Sequence, residues 1–275
     1  MLTDGQFDRA RRLAAQLAGI ELFERHREVL HRRGCRIAGA VAGSFDALLS
    51  ALERGDPAAG RQFVELITTK FTGFFRHPRQ FEVAAEHARL AAQRRGAARL
   101  WSAGAATGEE PYSVAMTLIE VFQRENLPAT ILATDINEGS LAKARQGDYR
   151  AAALSEMNLN RRERFFTASD RSGRWRIAES VRRLVDFQSL NLVDPVWPME
   201  GSFDVILCRN VLMYLSASHR HAVAERLAAM LAPGGVLILD PAEHLGAAEP
   251  LFGRGVGGVY PARASSPHPR AAVLG

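Results

Sequence analysis

Two glycines and three acidic residues stand where an α/β protein would bind a nucleotide-like ligand. Gly104 and Gly108 follow a short apolar run, and Glu109 and Glu110 come directly afterwards at the predicted start of a helix. Asp135 ends the next apolar run. Glycine lets the main chain approach a ligand closely, whereas carboxylates at a helix start are poor neighbours for phosphate. These residues favour a ligand that carries positive charge.

The order of these residues narrows the choice of ligand further. A dinucleotide-binding turn usually reads G-x-G-x-x-G, whereas this chain reads G-A-A-T-G-E-E from Gly104 onwards. An acid at the end of the second strand, here Asp135, is placed to hold the two hydroxyl groups of a ribose. A positively charged nucleoside without phosphate describes S-adenosylmethionine. The two glutamates leave a second interpretation open, because acids are also common in the first turn of ordinary helices.

The elements that must position these residues alternate from about residue 97 onwards. Strands are predicted in ARLWSAG, TILATD, FDVILCRN and GGVLILD, with helical segments between them. Apolar strands that alternate with helices form a mostly parallel sheet covered on both faces, so we predict an α/β fold. Alternation of apolar and polar residues in RWRIAES predicts a small antiparallel insertion at about residues 160–188.

The rest of the chain divides by composition and periodicity. Residues 1–66 repeat apolar positions at steps of three and four, which predicts an all-helical N-terminal domain. Residues 67–96 are predicted to form a linker and a connecting helix, and residues 97–263 the α/β domain. The segment 264–275 is rich in alanine, serine and proline, and we expect it to be disordered.

Composition indicates a soluble globular protein of 275 residues, with 47% hydrophobic and 24% charged residues. No stretch approaches the roughly 18 apolar residues of a membrane span, and the N-terminus shows no apolar signal segment. We therefore expect a cytoplasmic protein without membrane insertion. Cys35 and Cys208 are expected to be reduced thiols, and no metal site is predicted because no metal-ligand spacing surrounds them.

The charge distribution suggests an acidic partner, since the formal net charge is +5. The segment ERHREVLHRRGCR concentrates arginines against few acids, at positions Arg25, Arg27, Arg32, Arg33 and Arg36. Two interpretations stay open from sequence: a solvated helix face, or a docking surface for an acidic protein.

Several longer motifs occur together in one order: TTKFTGFFRHPRQF, WSAGAATGEEPYSVA, ATDINEGSLAKARQGDYR, FQSLNL and FDVILCRNVLMYL. In these motifs the chain resembles chemoreceptor glutamate methyltransferases of the CheR type, from about Phe7 to Tyr260. The resemblance implies a helical domain before a Rossmann-like methyltransferase domain with a small antiparallel insertion. It also implies methyl transfer from S-adenosylmethionine to glutamate side chains of chemoreceptors, with S-adenosylhomocysteine as the product.

The resemblance further implies a set of site residues. Cofactor contacts fall on Lys70, Thr72, Arg76, Gly104, Glu110, Asp135, Asn191, Leu192, Arg209 and Asn210. Arg76 is also expected to hold or steer the substrate carboxylate, and Tyr214 to lie near the transferred methyl group. These two residues are the predicted catalytic residues.

Two departures from the family pattern accompany this resemblance. The family usually carries asparagine at the position of Lys70, whose ammonium would repel a sulfonium cation unless it turns away or pairs with the methionine carboxylate. The segment LDPAEHLG stands where the family usually reads glycine-histidine-serine-glutamate, and it keeps only Glu243. We expect this second change to alter the wall of the substrate cleft.

The predicted partner is the cytoplasmic domain of a chemoreceptor, with no nucleic acid bound and a monomer as the acting form. Two alternatives remain. One is a non-catalytic signalling module that binds S-adenosylmethionine or S-adenosylhomocysteine, prompted by Lys70 and LDPAEHLG. The other is a methyltransferase with a different substrate, such as nucleic acid or a small molecule. The helical domain and the linker TTKFTGFFR argue against that last interpretation.

Overall fold

The computed structural model describes residues 1–38, 44–68, 72–170 and 173–263. The predicted cofactor contact at Lys70 and the predicted tail at 264–275 lie outside these residues. In the described part, the chain begins with the helices α1 (Asp4–Ala18), α2 (Arg27–Ala38), α3 (Phe45–Glu53) and α4 (Pro57–Ile67).

Local signals in the sequence explain where these N-terminal helices begin and end. Thr3 and Gln6 form a capping box at the start of α1, and Gly19, with φ of 63°, ends that helix. Asp56 caps α4, with Pro57 in the first turn. The apolar faces pack into one core, whose members include Phe7, Leu13, Leu22, Leu30, Leu48, Leu49, Phe63 and Leu66.

The connecting helix and the α/β domain follow. In chain order the elements are α5 (Pro78–Arg95), β1 (Ala98–Ala103), α6 (Glu109–Phe122), β2 (Ala129–Asp135), α7 (Glu138–Gln146), β3 (Asp148–Arg150), α8 (Leu159–Phe165), β4 (Phe166–Ala168), β5 (Arg174–Ile177), α9 (Glu179–Arg182), β6 (Val185–Ser189), β7 (Phe203–Leu207), α10 (Ala217–Met230), β8 (Leu231–Ile238) and β9 (Val259–Pro261).

The main sheet has the strand order β6-β2-β1-β7-β8-β9. Its strands are parallel except for β9, which pairs antiparallel with β8. Leu100 packs on one face of the sheet and Trp101 on the other, and both are fully buried. This double burial explains the nearly continuous apolar runs of the central strands, and the predicted α/β fold with a mostly parallel sheet is confirmed.

A second, antiparallel sheet has the strand order β3-β5-β4. It differs in extent from the insertion expected at about residues 160–188, because its first strand already begins at Asp148. Within that range, β6 belongs to the main sheet, where it pairs with β2. The alternation in RWRIAES carried no information about the third strand, which lies earlier in the chain.

The arginine-rich segment separates into structural and exposed side chains. Arg27 forms ion pairs with two acids of the same domain. Arg33 donates through Nη1 to two main-chain oxygens at the C-terminal end of α4, both at 2.8 Å. Arg32 is 64% exposed and lies 3.8 Å from Glu28. The side chain of Arg36 is outside the described residues. Neither of the two interpretations left open from sequence, a solvated helix face or a docking surface, applies to Arg27 and Arg33, because both bind groups of their own domain.

Two further features bear on the expectations from sequence. Cys35 is exposed and Cys208 is buried, and both are free thiols. Across the described residues, none of the helices combines the length and the apolar character that crossing a membrane requires.

Candidate functional site

A cleft that opens to solvent lies beyond the carboxyl ends of β1, β2 and β7. The strand order reverses between β1 and β7, and open α/β sheets bind ligands at such a switch point. All predicted site residues within the described part of the chain line this cleft: Thr72, Arg76, Gly104, Glu110, Asp135, Asn191, Leu192, Arg209, Asn210 and Tyr214.

The turn after β1 has a left-handed backbone at Gly104, Ala106 and Gly108, with φ of 95°, 46° and 96°. A Cβ atom at Gly104 would lie 2.3 Å from Cγ2 of Val211, so only glycine fits there. The main-chain N–H of Ala106 donates to Oδ2 of Asp135 at 2.8 Å. The acid at the end of β2 therefore fixes the turn that forms the floor of the cleft.

Only one of the two glutamates at the start of α6 faces the cleft. Glu110 lines it, whereas Glu109 is buried at 8% exposure and accepts a hydrogen bond from Oγ1 of Thr107 at 2.7 Å. Burial raises the pKa of Glu109, and its hydrogen bond with Thr107 opposes only part of that rise. The expectation that both carboxylates attract a cationic ligand is therefore wrong for Glu109, and only Glu110 can do so.

Glu110 is itself paired. Its Oε2 lies 3.0 Å from Nη1 of Arg209, and its Oε1 accepts from Oγ of Ser102 at 2.8 Å. Burial raises the pKa of Glu110, while the charge of Arg209 and the hydrogen bonds from Ser102 and Arg209 act in the opposite direction. Arg209 also donates through Nη2 to the main-chain oxygen of Arg76 at 2.8 Å. This wall of the cleft is a buried ion pair and not a bare carboxylate.

The linker before α5 enters the site in a strained conformation. Phe75 and His77 have φ of 54° and 60°, values that residues other than glycine rarely adopt. The N–H of Phe75 donates to Oγ of Ser113 at 3.0 Å, and the guanidinium of Arg161 lies 4.1 Å from the Phe75 ring centre. These contacts fix the backbone that presents Arg76 to the cleft.

The loop after β6 uses its polar side chains for structure. Asn191 donates through Nδ2 to the main-chain oxygen of Leu17 at 2.8 Å and to Oδ1 of Asp194 at 3.0 Å. Arg226 donates to the main-chain oxygen of Leu192 at 2.8 Å. The side-chain amide of Asn191 therefore holds the loop against α1, while the residue also lines the cleft.

The loop after β7 is held from behind by a carboxylate. Glu243 accepts from the main-chain N–H of Asn210 at 2.7 Å, Val211 at 3.1 Å and Met213 at 3.2 Å. Asn210 has a left-handed φ of 56°. Glu243 is not among the residues that line the cleft, nor is Asp240. The departure LDPAEHLG therefore places its two acids in the layer behind the cleft wall.

Sequence reasoning missed the contribution of the N-terminal domain. Ala18 and Ile20 of this domain line the cleft, as do Ile67 and Thr68 at the start of the linker. The link after α1 runs beside the loop that follows β7, with Ile20 and Leu215 forming an isolated bridge. Asn137, also missed, donates through Nδ2 to Oγ1 of Thr68 at 2.8 Å. No signal in the sequence marks these residues, because their place depends on how the two parts of the chain dock.

Comparison with known proteins agrees with this geometry. Residues 70–254 match the family described as CheR methyltransferase, SAM binding domain. The chain is 36% identical over 245 residues to chemotaxis protein methyltransferase 2 of Pseudomonas aeruginosa, covering 88% of this chain and 87% of that protein. It is 34% identical over 255 residues to the chemotaxis protein methyltransferase of Escherichia coli, covering 91% and 88%.

Among solved structures, the CcbJ methyltransferase from Streptomyces caelestis aligns with 18% identity and a TM-score of 0.35, covering 57% of this chain and 51% of that one. The sequence matches extend over the linker, the glycine turn and the loops that build the cleft. On these matches, the chain belongs to the CheR methyltransferase family.

Proposed function

We propose that this protein transfers a methyl group from S-adenosylmethionine to glutamate side chains of chemoreceptors, forming glutamate methyl esters. One observation carries the proposal: a single cleft at the switch point of the sheet brings together the predicted site residues of a family whose relatives are named chemotaxis protein methyltransferases. We propose further that the protein acts in the cytoplasm, as a monomer, on the cytoplasmic domain of its receptor.

The residues present suit the cofactor. Asp135 lies at the end of β2, where a carboxylate can accept hydrogen bonds from ribose hydroxyls. Gly104 itself lines the cleft, so a ligand there can lie close to its main chain. Leu192 and Asn191, which line the same cleft, would flank the adenine. When bound, S-adenosylmethionine supplies a methyl group on a positively charged sulfur.

The acceptor needs no general base from the protein. A glutamate side chain has a pKa of about 4.3 and is already ionised at neutral pH. The chain's contribution is therefore to align the carboxylate and exclude water, and alignment alone can lower a barrier by roughly 7–11 kcal/mol. We assign Arg76 to hold the acceptor carboxylate through charge-assisted hydrogen bonds, and Tyr214 to shape the path of the methyl group.

Transfer of radiolabelled methyl groups to a panel of chemoreceptor cytoplasmic fragments, followed by peptide mapping, tests the proposal. We expect label on glutamate side chains as base-labile esters. The Asp135→Asn variant should bind S-adenosylhomocysteine about 10-fold or more weakly, since hydrogen bonds to a charged group contribute about 1.5–3 kcal/mol. Calorimetric binding by the wild-type protein without transfer to any fragment would support a signalling module instead, and competition by nucleic acid would indicate a different substrate.

Arg32, an exposed arginine on α2, provides a test of the partner. We expect Arg32→Glu to slow methylation mainly at low ionic strength, because a basic surface steers an acidic partner through a force that salt screens. Arg33→Glu should instead lower the unfolding midpoint at every salt concentration, since it removes donors from the C-terminal end of α4. Initial rates at several salt concentrations, with thermal unfolding of both variants, would show this. Identical salt dependence of the rate for Arg32→Glu and wild type would contradict the steering role.

A further inference from the structure

A buried carboxylate lies directly behind Arg76. Asp240 follows β8 and is 3% exposed. Its Oδ1 accepts from the main-chain N–H of Ala242 at 3.0 Å, and its Oδ2 lies 3.7 Å from Nη2 of Arg76 and 3.5 Å from Nε2 of His77. Burying a carboxylate is costly unless charges and hydrogen bonds compensate it. The cationic side chains beside Asp240 therefore compensate part of the cost of burying it.

Arg76 is the permanent cation of this group. A guanidinium group carries a permanent positive charge, whereas the imidazole of His77 is charged only if it is protonated. The main-chain oxygen of Arg76 is already fixed by Arg209 at 2.8 Å, and the neighbouring residues have left-handed backbones. The backbone is thus set, whereas the orientation of the long side chain, 34% exposed, depends on the contacts that its guanidinium makes.

Asp240 also contacts Asn210, on the loop after β7. Burial raises its pKa, but hydrogen bonds from Ala242 and from the Asn210 side chain, together with the charges of His77 and Arg76, outweigh burial and lower that pKa. Asp240 is therefore an anion at neutral pH. It contacts two residues that line the cleft, Arg76 and Asn210, without lining the cleft itself.

We propose that Asp240 is a positioning residue, which holds the guanidinium of Arg76 in the orientation that receives the acceptor carboxylate. The inference rests on the proposed methyl transfer. It also gives the segment LDPAEHLG a function. Its aspartate holds the arginine of the linker, which is distant in sequence but adjacent in space. Asp240 touches neither cofactor nor acceptor in this role and acts only through Arg76.

A double-mutant cycle in the full chain tests this role. The readout is kcat/KM for methyl transfer to a chemoreceptor cytoplasmic fragment, with kcat and KM determined separately. In the chain that keeps Arg76, we expect Asp240→Asn to lower kcat/KM about tenfold. In the Arg76→Ala background the same change should lower it by less than about twofold, since coupled neighbours show non-additive effects. Affinity for S-adenosylhomocysteine, measured by calorimetry, should change much less than kcat/KM in the Asp240→Asn variant.

The controls separate this role from a structural one. Thermal unfolding of each variant shows whether folded chains are compared, and Arg76→Gln, which removes the charge but keeps part of the side chain, replaces Arg76→Ala if the latter is too slow to assay. Equal losses in both Arg76 backgrounds would overturn the inference, as would a His77→Gln variant that reproduces the whole loss. A wild-type chain that transfers no methyl group would instead overturn the proposed function, which distinguishes the two failures.

Discussion

Replacing Glu243 with alanine is expected to lower the free energy of unfolding by about 3 kcal/mol, because each buried donor left unpaired costs about 1–3 kcal/mol. The carboxylate accepts from the main-chain N–H of Asn210, Val211, Met213 and Asp240 at distances of 2.7, 3.1, 3.2 and 3.2 Å. All four donors would lose this acceptor at once. Water entering the vacated space would take up part of the cost, so the expected loss stays below the sum.

The same variant should lose methyl-transfer activity beyond its loss of stability. Asn210 has a left-handed φ of 56° and is held in it by the shortest of these hydrogen bonds. Without Glu243 the loop that carries Asn210 and Tyr214 is free to relax, and the cleft loses one wall. The variant would be compared with wild type well below its unfolding midpoint, so that both chains are folded in the rate assay.

Urea unfolding followed by tryptophan fluorescence provides the stability measurement for this prediction. Glu249→Ala is the matched control, because Glu249 is an exposed acid a short distance along the same segment. We expect the control to unfold at the wild-type midpoint. Glu243→Gln, which keeps one acceptor oxygen, should fall between the control and the alanine variant. Equal midpoints for Glu243→Ala and Glu249→Ala would show that the main-chain donors find other partners.

Some of the site could be predicted from the sequence because strand ends follow directly from strand order. Gly104 comes straight after β1 and Asp135 ends β2, and the two strands pair in register with Ala103 opposite Thr134. Since adjacent parallel strands end at the same edge of the sheet, recognising the two strands was sufficient to bring these residues together. The same reasoning applies to Arg209, which follows β7 beside β1.

Neighbouring helix residues could not be separated from sequence. Glu109 and Glu110 are about 100° apart around α6, so only one of them can face the cleft. Which one does so depends on how the helix rotates against the sheet, and tertiary packing sets that rotation. Arg32 and Arg33 on α2 show the same problem. Arg32 is exposed, whereas Arg33 donates hydrogen bonds to main-chain oxygens at the C-terminal end of α4.

The docking of the N-terminal domain was equally inaccessible to sequence analysis. Ile20 and Thr68 are ordinary members of their segments, and they line the cleft only because the two parts of the chain meet there. Gly19 shows how closely they meet: a Cβ atom at this position would lie 2.6 Å from Cγ1 of Val193. Such a contact joins residues that are far apart in the chain, and the hydrophobic periodicity of the sequence does not predict it.

The Arg209→Leu variant is expected to lose about 3–5 kcal/mol of unfolding free energy at neutral pH, since removing one partner of a buried ion pair strands the other charge. The side chains of Arg209 and Glu110 are 2% and 13% exposed and lie 3.0 Å apart. The guanidinium also lies 5.2 Å from the ring centre of Phe81, so its removal costs packing as well. The matched control is Arg89→Leu, whose ion pair with Glu86 at 2.6 Å lies at the surface.

This loss should depend on pH in a defined direction. Burial already raises the pKa of Glu110 above its usual 4.5, and Arg209 is among the groups that oppose the rise. In Arg209→Leu the pKa of Glu110 therefore moves higher. Stability from a raised pKa is fully present below the unfolded-state pKa and is lost as pH rises through the folded-state pKa. The gap between wild type and variant should accordingly widen from acidic toward neutral and mildly alkaline pH.

A second substitution decides whether the stranded charge is the cause. Adding Glu110→Gln to Arg209→Leu removes both charges, and we expect the double variant to unfold at higher urea concentration than Arg209→Leu alone. Its stability should also lose the pH dependence assigned to Glu110. Methyl transfer should be lost in both Arg209→Leu and the double variant, because the wall of the cleft has changed even where the fold has recovered. A double variant whose loss equals the sum of the two single losses would show that the residues contribute independently, and the ion pair would then not be what stabilises this wall.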